Sequence, residues 1–380
     1  MVYVRRLSAQ NYRCFSEFSV ALEPGVNVVA GSNGAGKTSA LRAVVCALAP
    51  FAQQCRAEAG ELAADDVRRQ AVTYGRRVRF ERCRPSECRV ELQCGRQTQA
   101  FSQKRQNEVA APLFSGRSDG GEAVVGENLP LLAFYQANRQ WLTPKALSET
   151  EAASCRDSRR DGYRGWCNAS DCPSAFYQWM IERSIERLKL AVDRQVGFWQ
   201  VEDDELAEVN RALKKALPGE FESIAYDMAA KAVVVKISGK YKEFTALSDG
   251  ERSFIGLFAD IARRMCLLNP QFGDEVIEKT DGIVLIDELD AHLHPIWQRK
   301  IVRGLQAAFP KVQFIVTMNS SAILREVPQQ NLLWLSEGKI VQKRIEAIRQ
   351  SDFEGRSAPW DLKAERLSLN GEDRCMKNQH

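Results

Sequence analysis

Two stretches far apart in the chain hold residues whose types and spacing could do chemistry. Gly31-Ser-Asn-Gly-Ala-Gly-Lys37-Thr38 fits G-x-x-x-x-G-K-[ST] at every position, with the apolar run Val26 to Ala30 before it and a helix-compatible stretch, Ala40 to Leu48, after it. A strand, a glycine-rich turn and a helix start in that order let backbone N–H groups close around phosphate oxygens, and the helix terminus adds partial positive charge. The candidate phosphate contacts are Ser32, Asn33, Gly34, Ala35, Gly36, Lys37, Thr38 and Ser39. Lys37 would reach the β- and γ-phosphates, and the Thr38 hydroxyl would take Mg²⁺. The pattern predicts that the chain binds ATP. The second stretch, Gly282-Ile-Val-Leu-Ile-Asp287-Glu288, runs four apolar residues into two acids. It reads as a buried parallel strand delivering carboxylates at its C-terminal edge. Asp287 fits the acid that holds Mg²⁺ through water, and Glu288 is placed to polarise an attacking water.

A third element lies between them. Leu247-Ser-Asp-Gly-Glu251 opens a run with Phe254, Leu257, Phe258, Ile261, Met265 and Leu268 at helical spacing. Ser248 and Gly250 therefore sit at a helix N-terminus, a second candidate anion site. A turn before an amphipathic helix is common, so this alone says little. The segment resembles the signature motif of ABC-type ATPases, in the "LSDGE" form of the SMC- and RecF-like branch. In that superfamily the signature of one subunit completes the ATP site of another. The resemblance implies a homo-oligomer, at least a head-to-tail dimer, with two ATPs sandwiched between subunits and Ser248 and Gly250 acting across the interface.

The resemblance covers most of residues 1–360. Asp290-Ala-His292-Leu-His294-Pro295 and Trp297-Gln298-Arg299-Lys300 resemble the D-loop and following helix of these ATPases. Leu131-Leu-Ala-Phe-Tyr135-Gln136-Ala-Asn138-Arg139 resembles their Q-loop strand, which implies that Gln136 contacts Mg²⁺ or water. Gly355-Arg356-Ser357 resembles the turn after the ATPase core. Stand-alone ATPases of this kind include predicted ATP-binding proteins involved in virulence and the Septu-type (PtuA-like) and retron-associated anti-phage ATPases. One position departs. Gln313-Phe-Ile-Val-Thr317-Met-Asn319 resembles the family's switch strand, and Asn319 stands where the histidine that touches the γ-phosphate would fall. Asparagine can donate a hydrogen bond but carries no charge. The expectation is slow hydrolysis, with ATP serving more as a dimer clamp than as fuel. The alternative is a tolerated variant, since Glu288 is in place.

Composition sets bounds. The chain has 380 residues and a net charge of +4. No window of eighteen consecutive apolar residues occurs, and the start lacks a charged-then-apolar leader. The expectation is a cytoplasmic protein with no membrane partner. Eleven irregularly spaced cysteines argue against a secreted disulfide framework, and the clusters Cys83, Cys88, Cys94 and Cys155, Cys167, Cys172 lack zinc spacing. They read as reduced thiols. Residues 68–105 carry eleven Arg and Lys against three Glu in strand-like alternation. This strip reads as an antiparallel meander whose basic face is either the footprint of a nucleic-acid partner or a solvated outer surface.

These pieces predict an α/β chain: an ABC-ATPase-like P-loop fold with an N-terminal antiparallel β meander and an inserted helical lid. Residues 1–144 form an N-lobe, 145–220 the lid, 221–345 a C-lobe and 346–380 a tail. Within the lid, 145–165 reads as a polar loop, and the pattern from Ser174 to about Leu217 is helical, with Phe176, Trp179, Met180, Leu188 and Val192 on one face. Trp179 and Trp199 are expected to pack.

Three functions share these motifs. One is an ATPase that senses or clamps nucleic acid and controls a separate effector nuclease in anti-phage defence, since the chain shows no nuclease constellation of its own. Another is a DNA repair or recombination ATPase that clamps DNA itself. The third, a transporter's nucleotide subunit, sits poorly with the "LSDGE" and D-x-H-x-H-P forms.

Overall fold

The computed structural model describes residues 1–58, 62–106, 113–114, 126–139, 158–171, 173–291 and 293–341. His292, Cys155, Cys172, most of the polar stretch 115–157, the Gly355-Arg356-Ser357 turn and the tail from 346 lie outside them. The strands in chain order are β1 (Val2–Tyr12), β2 (Phe15–Ala21), β3 (Val26–Gly31), β4 (Arg69–Tyr74), β5 (Arg77–Arg82), β6 (Ser86–Cys94), β7 (Gln97–Arg105), β8 (Leu113–Phe114), β9 (Leu131–Tyr135), β10 (Phe221–Asp227), β11 (Ala232–Ile237), β12 (Lys240–Glu243), β13 (Gly282–Ile286), β14 (Val312–Thr317), β15 (Leu332–Ser336) and β16 (Lys339–Val341). The longer helices are α1 (Lys37–Gln54), α2 (Pro173–Arg194), α3 (Glu205–Ala216), α4 (Asp249–Leu268) and α5 (Pro295–Ala308).

Two sheets share one hydrophobic core. The first is antiparallel, in the order β2-β1-β6-β7-β8. The second runs β16-β15-β3-β14-β13-β9, parallel throughout except for the β15–β16 hairpin. Helix α1 packs against both, and its Ala- and Val-rich sequence is buried over most of its length. That explains a composition apolar on nearly every side, which a helix with one wet face would not tolerate. Gln313 ties the layers. From β14 its side chain accepts from the Val4 amide at 2.8 Å and donates to the Val4 carbonyl at 2.9 Å. Helices α3, α4 and α5 form the layer beyond β9 and β13, and β10–β12 make a separate three-stranded sheet beside α2 and α3.

The architecture matches the predicted α/β fold, with three differences of detail. The basic strip is two structures rather than one meander. Strands β6 and β7 belong to the main antiparallel sheet, whereas β4 and β5 pair only with each other and form a ribbon exposed on both faces. The alternation of residue types cannot distinguish these, because an edge and a free hairpin share the same period. The helical stretch breaks between α2 and α3, where Gln195 adopts φ 54°. Finally, Trp179 is buried, but Trp199 is 49% exposed and Val192 68% exposed, because α2 extends beyond the core that covers Phe176 and Met180.

Candidate nucleotide site

The sheet order places the phosphate-loop strand β3 beside β14, and β14 beside the acid-bearing strand β13. Strand β14 is therefore the partition between them. The register aligns Val316 with Ile286 and Ile286 with Tyr135, so the C-terminal ends of β13, β14 and β9 finish together. This is the edge of an open α/β sheet where ligands bind.

The loop after β3 is shaped by close neighbours. Gly36 caps α1 with φ 105°, and a Cβ there would lie 2.7 Å from Cys14 Sγ and 3.2 Å from the Phe15 ring. A Cβ on Gly31 would sit 2.2 Å from the Leu335 carbonyl oxygen. Only glycine fits either place. The β1–β2 turn thus forms one wall of the phosphate loop, a role its sequence did not announce. Lys37 folds back over the loop, donating to the carbonyls of Gly31 at 2.7 Å and Ser32 at 3.0 Å. Burial lowers its pKa, opposed by the carboxylates of Glu288, Asp290 and Asp287.

Helix α1 and strand β14 both deliver a hydroxyl to Asp287. The Thr38 hydroxyl donates to its Oδ2 at 2.8 Å, and the Thr317 hydroxyl donates to its Oδ1 at 2.6 Å. Thr317 Oγ1 also accepts the Glu288 amide at 2.7 Å. A hydroxyl and a carboxylate held this close are hard oxygen donors of the kind that suit Mg²⁺. With the phosphate loop alongside, the residues present fit a magnesium–nucleotide complex. The sequence pattern assigns Thr317 no role; its signal is a hydroxyl closing the apolar run Phe314 to Val316.

Glu288 has φ 49°. A non-glycine residue in this region is held at a cost of about 1–3 kcal/mol, which the surroundings must supply. They do so from both sides: Thr317 binds its amide, and the Arg139 guanidinium binds its carbonyl at 2.7 Å and that of Asp287 at 2.5 Å. Arg139 is buried, and burial brings its pKa down to about 10 against the pull of Asp287, Asp290 and Glu288.

Asn319 donates its backbone amide to the Asp290 carboxylate at 3.0 Å. Burial raises the Asp290 pKa, and that amide opposes the rise. The Asn319 Oδ1 atom is buried without a hydrogen-bond partner among the described residues. Gln136 accepts from Arg42 Nη2 at 3.3 Å, so its carbonyl oxygen is engaged by α1 and would have to release it to reach a metal.

The signature lies apart from this cluster. Ser248 caps α4: its hydroxyl accepts from the Glu251 amide at 3.3 Å, and the Glu251 carboxylate accepts from the Ser248 amide at 3.0 Å. Such reciprocal caps hold a helix start by about 1 kcal/mol. Ser248 is exposed, and among the described residues no hydrogen bond joins it or Gly250 to the phosphate loop. Helix α4 is instead tied to the site from beneath. Asp260 pairs with Arg263 at 2.6 Å and Arg264 at 2.8 Å, and accepts from the Tyr135 hydroxyl at 2.8 Å, one residue before Gln136.

The phosphate loop, the paired acids and the partition strand define a P-loop protein with the fold of an SMC head. The SMC head domain from Thermotoga maritima superposes with a TM-score of 0.52 at 10% identity, covering 90% of this chain and 99% of that one. The chain belongs to the AAA domain family, whose model matches residues 6–217; a second AAA domain model matches residues 174–317. It is 34% identical over 160 residues to "Retron Ec83 probable ATPase" of Escherichia coli, covering 42% of this chain and 29% of that protein. It is 41% identical over 99 residues to "Septu protein PtuA" of Bacillus mycoides (strain KBAB4), covering 26% of this chain and 13% of that protein. The matched stretches span less than a third of those relatives' lengths. No helix among the described residues is long and apolar enough to cross a membrane.

Proposed function

We propose that the chain binds and slowly hydrolyses ATP in head-to-tail dimers and so controls a partner nuclease in anti-phage defence. The observation that carries this reading is the division of the motifs. Lys37, Thr38, Asp287, Thr317 and Asn319 gather at one sheet edge, while Ser248 stands exposed and Gly250 half-buried at a helix start elsewhere. One chain then carries two half-sites, and a second copy supplies the missing anion donors. The retron and Septu relatives support the defence role.

Within each half-site the geometry supports the following roles. Ser32, Asn33, Gly34, Ala35, Gly36 and Ser39 would present backbone and hydroxyl donors to phosphate oxygens, with Lys37 leaving its loop carbonyls to meet the β- and γ-phosphates. Thr38 and Asp287, with Gln136 once it leaves Arg42, would hold Mg²⁺. When bound, that ion neutralises charge on the phosphates. Glu288 would orient and deprotonate the attacking water. Asn319 would offer a neutral donor where a cation would stabilise developing charge better, and losses of this kind are about tens- to a thousandfold in rate.

The division into an N-lobe to 144, a lid over 145–220, a C-lobe to 345 and a tail remains part of this proposal. The lid would carry the effector contact. The basic strip 68–105 would contact nucleic acid, and the β4–β5 ribbon is its best-supported part. The Arg76, Arg77 and Arg79 side chains are exposed there and form no ion pair or hydrogen bond among the described residues, and Phe80 is 71% exposed beside them. The same ribbon favours the second reading, a repair ATPase that clamps DNA itself.

Light scattering on the purified chain without nucleotide, with ATP and Mg²⁺, and with ADP tests the dimer. Doubling of mass with ATP alone is expected, and E288Q should hold the doubled state. An E288Q protein that stays monomeric at saturating ATP refutes the sandwich. Tight ATP-dependent DNA binding, with partner binding indifferent to ATP, would favour the repair reading.

A further inference from the structure

We propose that Arg139 is a positioning residue for hydrolysis: its guanidinium clamps the backbone of Asp287 and Glu288 and fixes the peptide that aims the Glu288 carboxylate. The inference rests on the reading of Glu288 as the base or orienter of water.

The ladder between β9 and β13 ends where the chemistry begins. Its last rung is the Asp287 amide donating to the Tyr135 carbonyl at 2.8 Å. Beyond that rung the β9 chain turns away, and the two acids leave the strand with Glu288 in a left-handed conformation. Their carbonyls no longer face a strand. Arg139, four residues beyond Tyr135, stands in for one. Its Nη1 donates to the Asp287 carbonyl at 2.5 Å and to the Gln136 carbonyl at 3.2 Å, and its Nη2 donates to the Glu288 carbonyl at 2.7 Å. A guanidinium is a rigid planar fork that can span two successive carbonyls. An ammonium is a point charge that cannot.

The target of the fork separates positioning from general support. Among the described residues, every hydrogen bond of the Arg139 side chain ends within the Q-loop turn or on the two acids, and none reaches the hydrophobic core. It is 4% exposed, in a pocket shared with the Asp287, Glu288 and Asp290 carboxylates, so its charge also offsets the crowding of three acids. The Glu288 carbonyl also accepts the Ala291 amide at 2.9 Å, but the peptide between Asp287 and Glu288 is held by Arg139 at its carbonyl and by Thr317 at its N–H, so releasing the fork would leave that peptide to turn about the Thr317 anchor.

Two substitutions test this. R139K keeps the charge and most of the volume but loses the fork; R139A loses both and risks misfolding, so R139K carries the decision. The expected result for R139K is a fall in kcat of about 100-fold, the penalty of misplacing a reacting group by roughly an ångström, with KM for ATP within about threefold of wild type. In an E288Q background R139K should lower the rate no further, because the group it positions is gone. Hydrogen exchange gives a readout independent of turnover: the Glu288 and Leu289 amides should exchange faster in R139K while β3 and β14 stay protected. Wild-type kcat in R139K with only a lower melting temperature overturns the inference, as does a loss confined to KM or a loss that adds fully to that of E288Q. An E288Q protein with wild-type kcat would instead overturn the reading of Glu288, whatever R139K does.

Discussion

The floor of the nucleotide site and the β4–β5 ribbon are both made of paired strands, yet they place opposite demands on their residues. Strands β3, β13 and β14 are buried at every position, so apolar residues fill them and each polar group at their ends must be matched. Lys37, Asp287 and Thr317 are matched there by named partners, and Arg139 is matched at both Nη atoms. In the ribbon nearly every residue faces water, and arginines cost little. The unusual groups there are the apolar ones, Tyr74, Val78 and Phe80. An isolated two-stranded ribbon is marginal in water. A misplaced polar atom is the informative sign in the floor, and an uncovered aromatic ring is the informative sign in the ribbon.

Substitutions in the floor should act through nucleotide or stability and leave the ribbon alone. Lys37→Ala should have the largest effect, lowering ATP affinity by about 100-fold or more through loss of a buried charge–phosphate contact. Calorimetric titration measures it, and oligonucleotide binding without nucleotide should be unchanged. Asp260→Asn follows, because it strands Arg263 and Arg264 in the core; a loss of about 3–5 kcal/mol is expected by urea denaturation. Asn319→His should raise kcat by about tenfold, measured as phosphate release. An unchanged rate would mean that the neutral side chain is not limiting.

Substitutions in the ribbon should do the reverse. Changing Arg76, Arg77 and Arg79 together to Glu should leave the melting temperature and ATP turnover unaltered. It should weaken oligonucleotide binding and flatten its salt dependence by about two log units per log unit of salt, from three lost phosphate contacts. An unchanged slope would assign the exposed face to a protein partner.

The smallest effect concerns Glu208 on α3. Burial pushes its carboxyl up to about 7, against the pull of Arg211. A raised carboxylate pKa means that the folded chain binds more protons than the unfolded one. Its contribution is therefore complete below about pH 4.5 and is lost as pH rises through about 7. Glu208→Gln should flatten the melting temperature between those limits, read by thermal scans at a series of pH values. Asp260 behaves in the opposite sense. Burial would raise its pKa, but Arg263 and Arg264 hold it at about 2, so its stabilisation survives until strongly acid pH.

Much of the floor was legible beforehand, because its residues obey local rules. Gly31 to Thr38 is contiguous, and a run from Ile283 to Ile286 ending in two acids has few other readings. The capping box at Ser248 and Glu251 is likewise written in four residues. The helical stretch 174–217 was legible only in part. Phe176, Trp179 and Met180 share a helical face with Leu188 and Val192, yet only the first three meet a core. Periodicity marks a face but not where its cover ends.

By itself, the sequence determined the phosphate-loop motif, the apolar strand that ends in two acids and the helix cap at Ser248, since each depends on neighbours within a few residues. The tertiary structure alone decided three things. It inserted β14 between β3 and β13, so that Thr317 could join Asp287 to the Glu288 amide. It brought Arg139 onto two carbonyls 148 and 149 residues away. It also left the β4–β5 ribbon uncovered while giving β6 and β7 a place in the core sheet. Each depends on which surfaces meet when the apolar faces are buried together, and burial is settled by the whole chain at once.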